Sequence, residues 1–171
     1  MVENRNKSVC QEDVYASIFQ SYATMVRNFI YYKSGDMQQA EDIAQEAFVR
    51  LWNNCSNVPT EKAKGFLYTV ANNIFLNEVE HKKVVLKFQQ KSGGQSGSLD
   101  PEFLLEEKEL KSKLEIAIAE LPDGQREVFL MNRMDKKTYA EIAELLGVSV
   151  KAVEKRMHKA LVKLRKTLKN I

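Results

Sequence analysis

From Lys151 onward the chain sets lysines along one face of a candidate helix. At 100° per residue, Lys151, Lys155, Lys159 and Lys166 fall together, with His158 beside them and Arg156 at the flank. The chemistry open to such a row is electrostatic. Ammonium groups release counterions from a phosphate backbone, and that release drives binding. A guanidinium adds direct reading, because its fork matches the O6 and N7 acceptors of guanine in a major groove. Residues near the start of a helix in that groove reach base edges, and later ones meet phosphates. Lys151, Ala152, Lys155 and Arg156 are therefore candidate base contacts, while Lys159, Lys163 and Lys166 are candidate phosphate contacts. A lysine row is also what an ordinary solvated face looks like. The surrounding charge weighs against that: Ser149 to Ile171 carries eight Lys/Arg and one acid, Glu154, although the whole chain is only +3.

The elements that must position these side chains are legible just upstream. Thr138 has the type of an N-cap, and Glu141 three residues on completes a capping box. Ile142, Ala143, Leu145 and Leu146 supply apolar contacts, Gly147 suits the left-handed C′ position, and Ser149 caps the next helix. Val153, Met157, Ala160, Leu161 and Leu164 form that helix's apolar face, opposite the lysines. Helices joined by so short a turn cross steeply, as in a helix-turn-helix. Repressors, response regulators and initiation factors all carry such a unit.

A second candidate face lies in "DMQQAEDIAQEAFVRLWNN". Met37, Ala40, Ala44, Ala47, Phe48 and Leu51 form a core stripe, with Ile43 and Trp52 at its edges. Asp42, Gln45, Glu46 and Val49 gather on the other side. This compact acid-amide patch has the chemistry to dock a basic partner, or simply to meet water.

Apolar residues recur at three and four throughout, without a period-two strand or an internal repeat, so the expected fold class is all-α. "KSGGQSGSLDPEF" holds three of the seven glycines and three serines. It reads as a flexible linker over 91–104, dividing a helical domain at 8–90 from a second at 105–171. "KSGD" at Lys33–Asp36 ends one helix and caps the next. Cys10 and Cys55 have no CxxC context, and the only histidines are His81 and His158. The expectation is two separate thiols in a reducing cytosol, with no disulfide scaffold and no metal site. No apolar run approaches the ~20 residues of a membrane span, and "MVENRNKSVCQED" has no apolar signal core; the expected location is cytoplasmic. No nucleophile–base pairing, phosphate loop or metal-ligand spacing marks an enzyme. "SGGQSG" lacks the lysine and the strand–helix context of a phosphate cradle.

"AEDIAQEAFVRLW" resembles the segment of bacterial sigma factors that grips the coiled coil of the polymerase β′ subunit. "FLYTVANNIFLNEVEHKK" is similar to the promoter-melting segment of the two-domain extracytoplasmic-function sigma factors. "LPDGQREVFLMNRMDKKTYAEIAELLGVSVKAVEKRMHKALVKLRK" resembles their fourth region, which reads the minus-35 element. Together these cover about 12–85 and 110–168, in the family's order. The resemblance implies that Asp42, Gln45 and Glu46, with Val49 in the same patch, face core RNA polymerase at the β′ coiled coil. The β flap and promoter DNA are further implied partners. Asn73 matches the family's base-capturing position, with Asn77 close by and Lys82 and Lys83 on the backbone; Asn72 reads as helix surface or packing. Uncharged amides suit unstacked single-stranded bases. Glu78 and Glu80 stand where the family usually has positive or aromatic residues. The family also implies an anti-sigma factor as partner, and no cofactor. The rival reading is a helix-turn-helix regulator that binds operators unaided; it has no need of the acid-amide patch.

Overall fold

A computed structural model describes residues 8–78, 84–87 and 101–169 of the chain. Among the described residues there are seven α-helices and no strand: α1 Glu12–Ser34, α2 Met37–Asn53, α3 Ala63–Glu78, α4 Pro101–Ala119, α5 Asp123–Arg133, α6 Tyr139–Leu146 and α7 Val150–Lys169. A 3₁₀ turn at Thr60–Lys62 leads into α3. The all-α class is the one the apolar spacing dictates.

The α1–α2 boundary is chemically explicit. Gly35 at φ 68° closes α1, and its N–H donates to Tyr31 O. Asp36 then caps α2 by accepting from the Gln39 N–H at 3.1 Å. A Cβ at Gly35 would lie 2.9 Å from Val84 Cγ1 and from the Val85 backbone, so the position needs glycine for space as well as for conformation.

Helices α1, α2 and α3 share an apolar centre of Val26, Phe29 and Ile30 against Ala40, Ile43, Ala44, Ala47, Phe48 and Leu51, and against Leu67, Tyr68, Ala71, Ile74 and Phe75. The alanines at 40, 44 and 47 let α2 approach closely. The Tyr15 hydroxyl donates to Phe48 O at 2.8 Å and its ring meets Trp52 edge-on. Met37, expected in the buried stripe, is 42 % exposed. It is the first residue of α2 and borders a surface groove with Tyr31, Lys87 and Met134.

Cys10 and Cys55 are joined as a disulfide, with Cα atoms 5.0 Å apart across a sequence separation of 45. The expectation of two separate thiols is thus corrected. The reason is topological: α1 and α2 run antiparallel, so the entry to α1 lies beside the exit from α2. Val9, adjacent to Cys10, and Val58, three residues after Cys55, are both buried.

In the second group of helices, the Thr138 hydroxyl accepts from the Glu141 N–H at 3.3 Å while the Glu141 carboxylate accepts from the Thr138 N–H at 2.8 Å, the capping box the sequence spells. Gly147 lies at φ 63°, and Ser149 Oγ accepts from the Ala152 N–H at 3.2 Å. Val128, Leu130, Met131, Ile142, Val153, Met157, Ala160 and Leu164 are buried between α5, α6 and α7. Helix α4 begins at Pro101, inside the stretch read as linker; residues 88–100 lie outside the described residues.

The two helical groups are packed together, α1 against α5 and α3 against α6. Arg126 of α5 is 2 % exposed. Its five N–H groups are all engaged: Nε donates to Tyr32 O at 2.7 Å, Nη1 to Ala119 O at 3.1 Å and Leu121 O at 2.7 Å, and Nη2 to Lys33 O at 3.2 Å and Asp123 Oδ1 at 2.7 Å. One guanidinium therefore satisfies carbonyls that the C-terminal ends of α1 and α4 leave open. Beside it Lys33 Nζ pairs with Glu127 Oε1 at 2.8 Å and lies 5.0 Å from the Phe29 ring centroid.

Candidate nucleic-acid interface

The lysine row forms because α7 buries Val153, Met157, Ala160 and Leu164 and turns its other side out. Lys151, Lys155, Lys159, Lys163 and Lys166 are exposed, as is His158, while Ala152 is half-buried. Lys163 differs from the others: its Nζ donates to Glu120 O at 2.7 Å, so it ties α7 to the end of α4. The open row is then Lys151, Lys155, Lys159 and Lys166. Arg156 is half-buried and leans over the start of α5, its Cζ 3.5 Å from where a Gly124 Cβ would lie. Pro122, Gly124 and Gln125 of that turn share a shallow cavity of about 280 Å³ with Ala152, Lys155, Arg156 and Lys159. The first turn of α7 and the α5 entry thus form one surface, a neighbour that spacing along α7 alone does not reveal.

On α2, Asp42, Gln45, Glu46 and Val49 are all exposed along one row, as the wheel requires. Val49 is 52 % exposed, and the flanking Trp52 and Phe19 are also open. Glu46 Oε1 accepts from Arg50 Nε at 2.9 Å, and Asp42 Oδ1 accepts from Gln38 Nε2 at 3.2 Å. Arg50 is part of this face and is missing from the sequence-based set, although its i,i+4 spacing from Glu46 is the signal for such a pair.

On α3, Thr69, Asn73, Leu76 and Asn77 are exposed and Asn72 is half-buried. Glu78 turns away from this stripe, its Oε2 lying 3.4 Å from Gln39 Nε2 of α2. Glu80, Lys82 and Lys83 lie outside the described residues. A cleft of about 570 Å³ separates α3 from the α6–α7 turn; Thr69, Asn72 and Leu76 line one wall, Leu146, Gly147 and Arg156 the other.

Below the cleft is a buried polar cluster. The Tyr32 hydroxyl donates to Asp135 Oδ1 at 2.8 Å, and Lys137 Nζ lies 3.5 Å from Met25 Sδ. Asp135 Oδ2 and the Tyr68 hydroxyl are buried without a protein partner. Burial pushes both phenols well above their usual range, with the Asp135 charge adding to it. Burial likewise raises the Asp135 carboxyl, which the Tyr32 hydroxyl and Lys137 partly offset. Burial lowers the Lys137 ammonium, with Asp135 acting against that.

No group of three or more metal-ligating side chains occurs among the described residues, and no described helix is long and apolar enough to cross a membrane. What the surface offers is a cationic helix face, an amide-bearing helix face and an acid-amide face. Comparison with known proteins places the chain among transcription initiation factors of the sigma-70 class. Residues 18–84 match Sigma-70 region 2 and residues 112–164 match Sigma-70, region 4. The chain is 30% identical over 135 residues to the ECF RNA polymerase sigma factor SigM of Bacillus subtilis, covering 77% of this chain and 81% of that protein. It is 29% identical to SigW of the same organism, over 100% of this chain and 98% of the relative. The chain belongs to the ECF RNA polymerase sigma factors, which direct promoter-specific initiation. Its fold matches that of the sigma factor RpoE solved in complex with the anti-sigma factor NepR from Bartonella quintana, with a TM-score of 0.61, 20% identity, and coverage of 91% of this chain and 96% of that one.

Proposed function

We propose that this chain is a non-catalytic, cytoplasmic subunit that attaches to core RNA polymerase through α2 and directs it to promoters read in two places. The β′ coiled coil meets Asp42, Gln45, Glu46 and Val49, while the second helical domain, from Pro101 onward, faces the β flap. The minus-35 duplex is read by α7, with Lys151, Ala152, Lys155 and Arg156 toward base edges and Lys159 and Lys166 toward phosphates, while Lys163, expected from the sequence to join them, holds α7 to the end of α4 through Glu120 O. The melted minus-10 strand is captured on α3 by Asn73 and Asn77, with Lys82 and Lys83 on the backbone. Its silent state is held by an anti-sigma factor. Residues 8–90 and the helices from Pro101 onward act as separate domains, with the joining segment shortened to 91–100 because α4 already begins at Pro101.

The observation that carries this reading is the pairing, in one chain and in family order, of an exposed acid-amide row on α2 with an exposed cationic row on α7. Chemistry fits each assignment. Melting needs no covalent step, only a surface that holds an unstacked base against a cost of a few kcal/mol. Amides at 73 and 77 are one turn apart on an open face.

Pull-down of core polymerase followed by run-off transcription tests it. Asp42→Ala with Glu46→Ala is expected to abolish holoenzyme formation while leaving the helical circular dichroism signal and Tm unchanged, since both side chains are exposed. Loss of stability instead would make the row structural. A wild-type chain that ignores polymerase at low salt, yet binds duplex operator tightly, would replace the reading with that of an independent regulator.

A further inference from the structure

We propose that Cys10 and Cys55 form a reversible thiol–disulfide site that takes the place of strong caps at two helix ends, and so sets how firmly the polymerase-facing end of α2 is held. The inference rests on the docking reading of α2 above. The bond joins the residue before the N-cap of α1 to the residue after the C-cap of α2. Local chemistry closes both ends only weakly. Gln11, at the N-cap of α1, makes no side-chain capping bond, whereas Asp36 and Thr138 cap α2 and α6. Asn54, at the C-cap of α2, reaches Arg50 O through Nδ2 at 2.8 Å. It lies at φ −113°, however, without the left-handed close that Gly35 and Gly147 give their helices. The first N–H groups and last carbonyls of a helix have no partner within it, and ends closed this loosely open locally.

What opens with them is the docking surface. The first turn of α1 holds Tyr15, whose hydroxyl donates to Phe48 O at 2.8 Å and whose ring centroid lies 5.0 Å from that of Trp52. Trp52 and Val49 are exposed apolar members of the α2 face. Arg50, paired with Glu46 at 2.9 Å, belongs to the same last turn. Without the bond, the Tyr15 turn and the end of α2 loosen together, and a partner binds only the fraction of chains in which both are formed. The oxidised chain is the docking-competent one. Cys10 is exposed and Cys55 half-buried, so an attacking thiolate reaches the Cys10 sulfur. Cys55 leaves as a thiolate and takes a proton. The second thiol of a dithiol reductant then closes its own disulfide and frees the Cys10 thiol; two electrons pass from the reductant to the cystine. A hydroperoxide reverses the change. One thiolate takes an oxygen from it as a sulfenic acid, with loss of alcohol or water, and the second thiol displaces water from that sulfur. In reducing compartments such bonds are transient, and exposed ones are the labile ones.

Amide hydrogen exchange of the full chain, with and without dithiothreitol, tests the site. Reduction is expected to speed exchange about tenfold or more at residues 15–17 and 50–55 and to leave α7 unchanged. It should weaken core polymerase binding about tenfold, the effect of leaving roughly one chain in ten competent. Hydrogen peroxide should restore both. Cys10→Ser with Cys55→Ser should match the reduced chain in either medium. Gln11→Asp supplies the absent cap. In the reduced chain it should recover much of the protection and of the affinity, while changing the oxidised chain little; a general loss of stability would not be mended at that position. Should the double serine variant fail to fold, Gln11→Asp in the otherwise wild-type chain makes the same comparison. Equal exchange at the two helix ends in both states, or a bond that dithiothreitol does not open in the folded chain, would overturn the proposal. A chain that ignores polymerase in both states fails the docking reading, and the exchange measurement, which uses no polymerase, then decides the capping site by itself.

Discussion

Arg126 and Arg156 bring the same guanidinium to opposite ends of usefulness. The first is spent entirely on carbonyls and Asp123; the second leans over Gly124 at the edge of an open surface. Nothing in "QREVF" distinguishes a buried arginine from a solvated one, because the distinction depends on α1 arriving from ninety-odd residues away. The exposed Asp42, Glu46, Asn73 and Lys155 were readable, because exposure follows from the period of their own helices. Asp135 was not, for the reason that hid Arg126. Burial raises its carboxyl above the ordinary 3.8. The folded chain then binds that proton more tightly than the unfolded chain. This group's contribution is therefore present at low pH and is lost as pH rises from 3.8 through the raised value. Asp135→Asn keeps an oxygen acceptor for Tyr32 and removes the buried charge. A Tm-versus-pH series is expected to show a variant at least as stable as wild type at neutral pH, with a flatter profile over that acid window.

Among the elements, those closed by local chemistry were legible and those closed by distant partners were not. The capping box at Thr138 and Glu141, the hinge at Gly147 and the break at Gly35–Asp36 depend on residues within one turn. Thr138→Ala is expected to cost about 1 kcal/mol in urea unfolding, with the lysine row left in place. Met37 departed from its stripe because a wheel has no ends, whereas α2 does. The disulfide was invisible for a related reason: two cysteines 45 apart say nothing until α1 and α2 are laid antiparallel. Closing a loop of that length stabilises the folded chain by roughly 4 kcal/mol in the chain-entropy account. Reduction, or Cys10→Ser with Cys55→Ser, should lower the Tm and denaturant midpoint of the first helical group while leaving duplex binding by α7 alone. Equal midpoints with and without reductant would show that the cross-link is not formed in solution.

For the molecule as a whole, net charge is a poor guide and its placement a good one. At +3 overall the chain would not be picked out as a DNA binder, yet four lysines stand open on one helix face. If each neutralises a phosphate, log affinity for the upstream duplex should fall against log salt with a slope of about −3 to −4. Lys159→Ala should remove about one unit of that slope; an unchanged slope would return the row to an ordinary solvated face. The order of the parts was legible from residue types, whereas their packing was not, since buried carbonyl acceptors carry no side-chain signature. The bond between Cys10 and Cys55 also makes a covalent ring of the α1–α2 hairpin. A degradation motor that draws the polypeptide through a narrow pore from the N-terminal side meets that ring at Cys10 and must pass two strands abreast. The oxidised protein should therefore outlast the reduced one wherever turnover depends on threading.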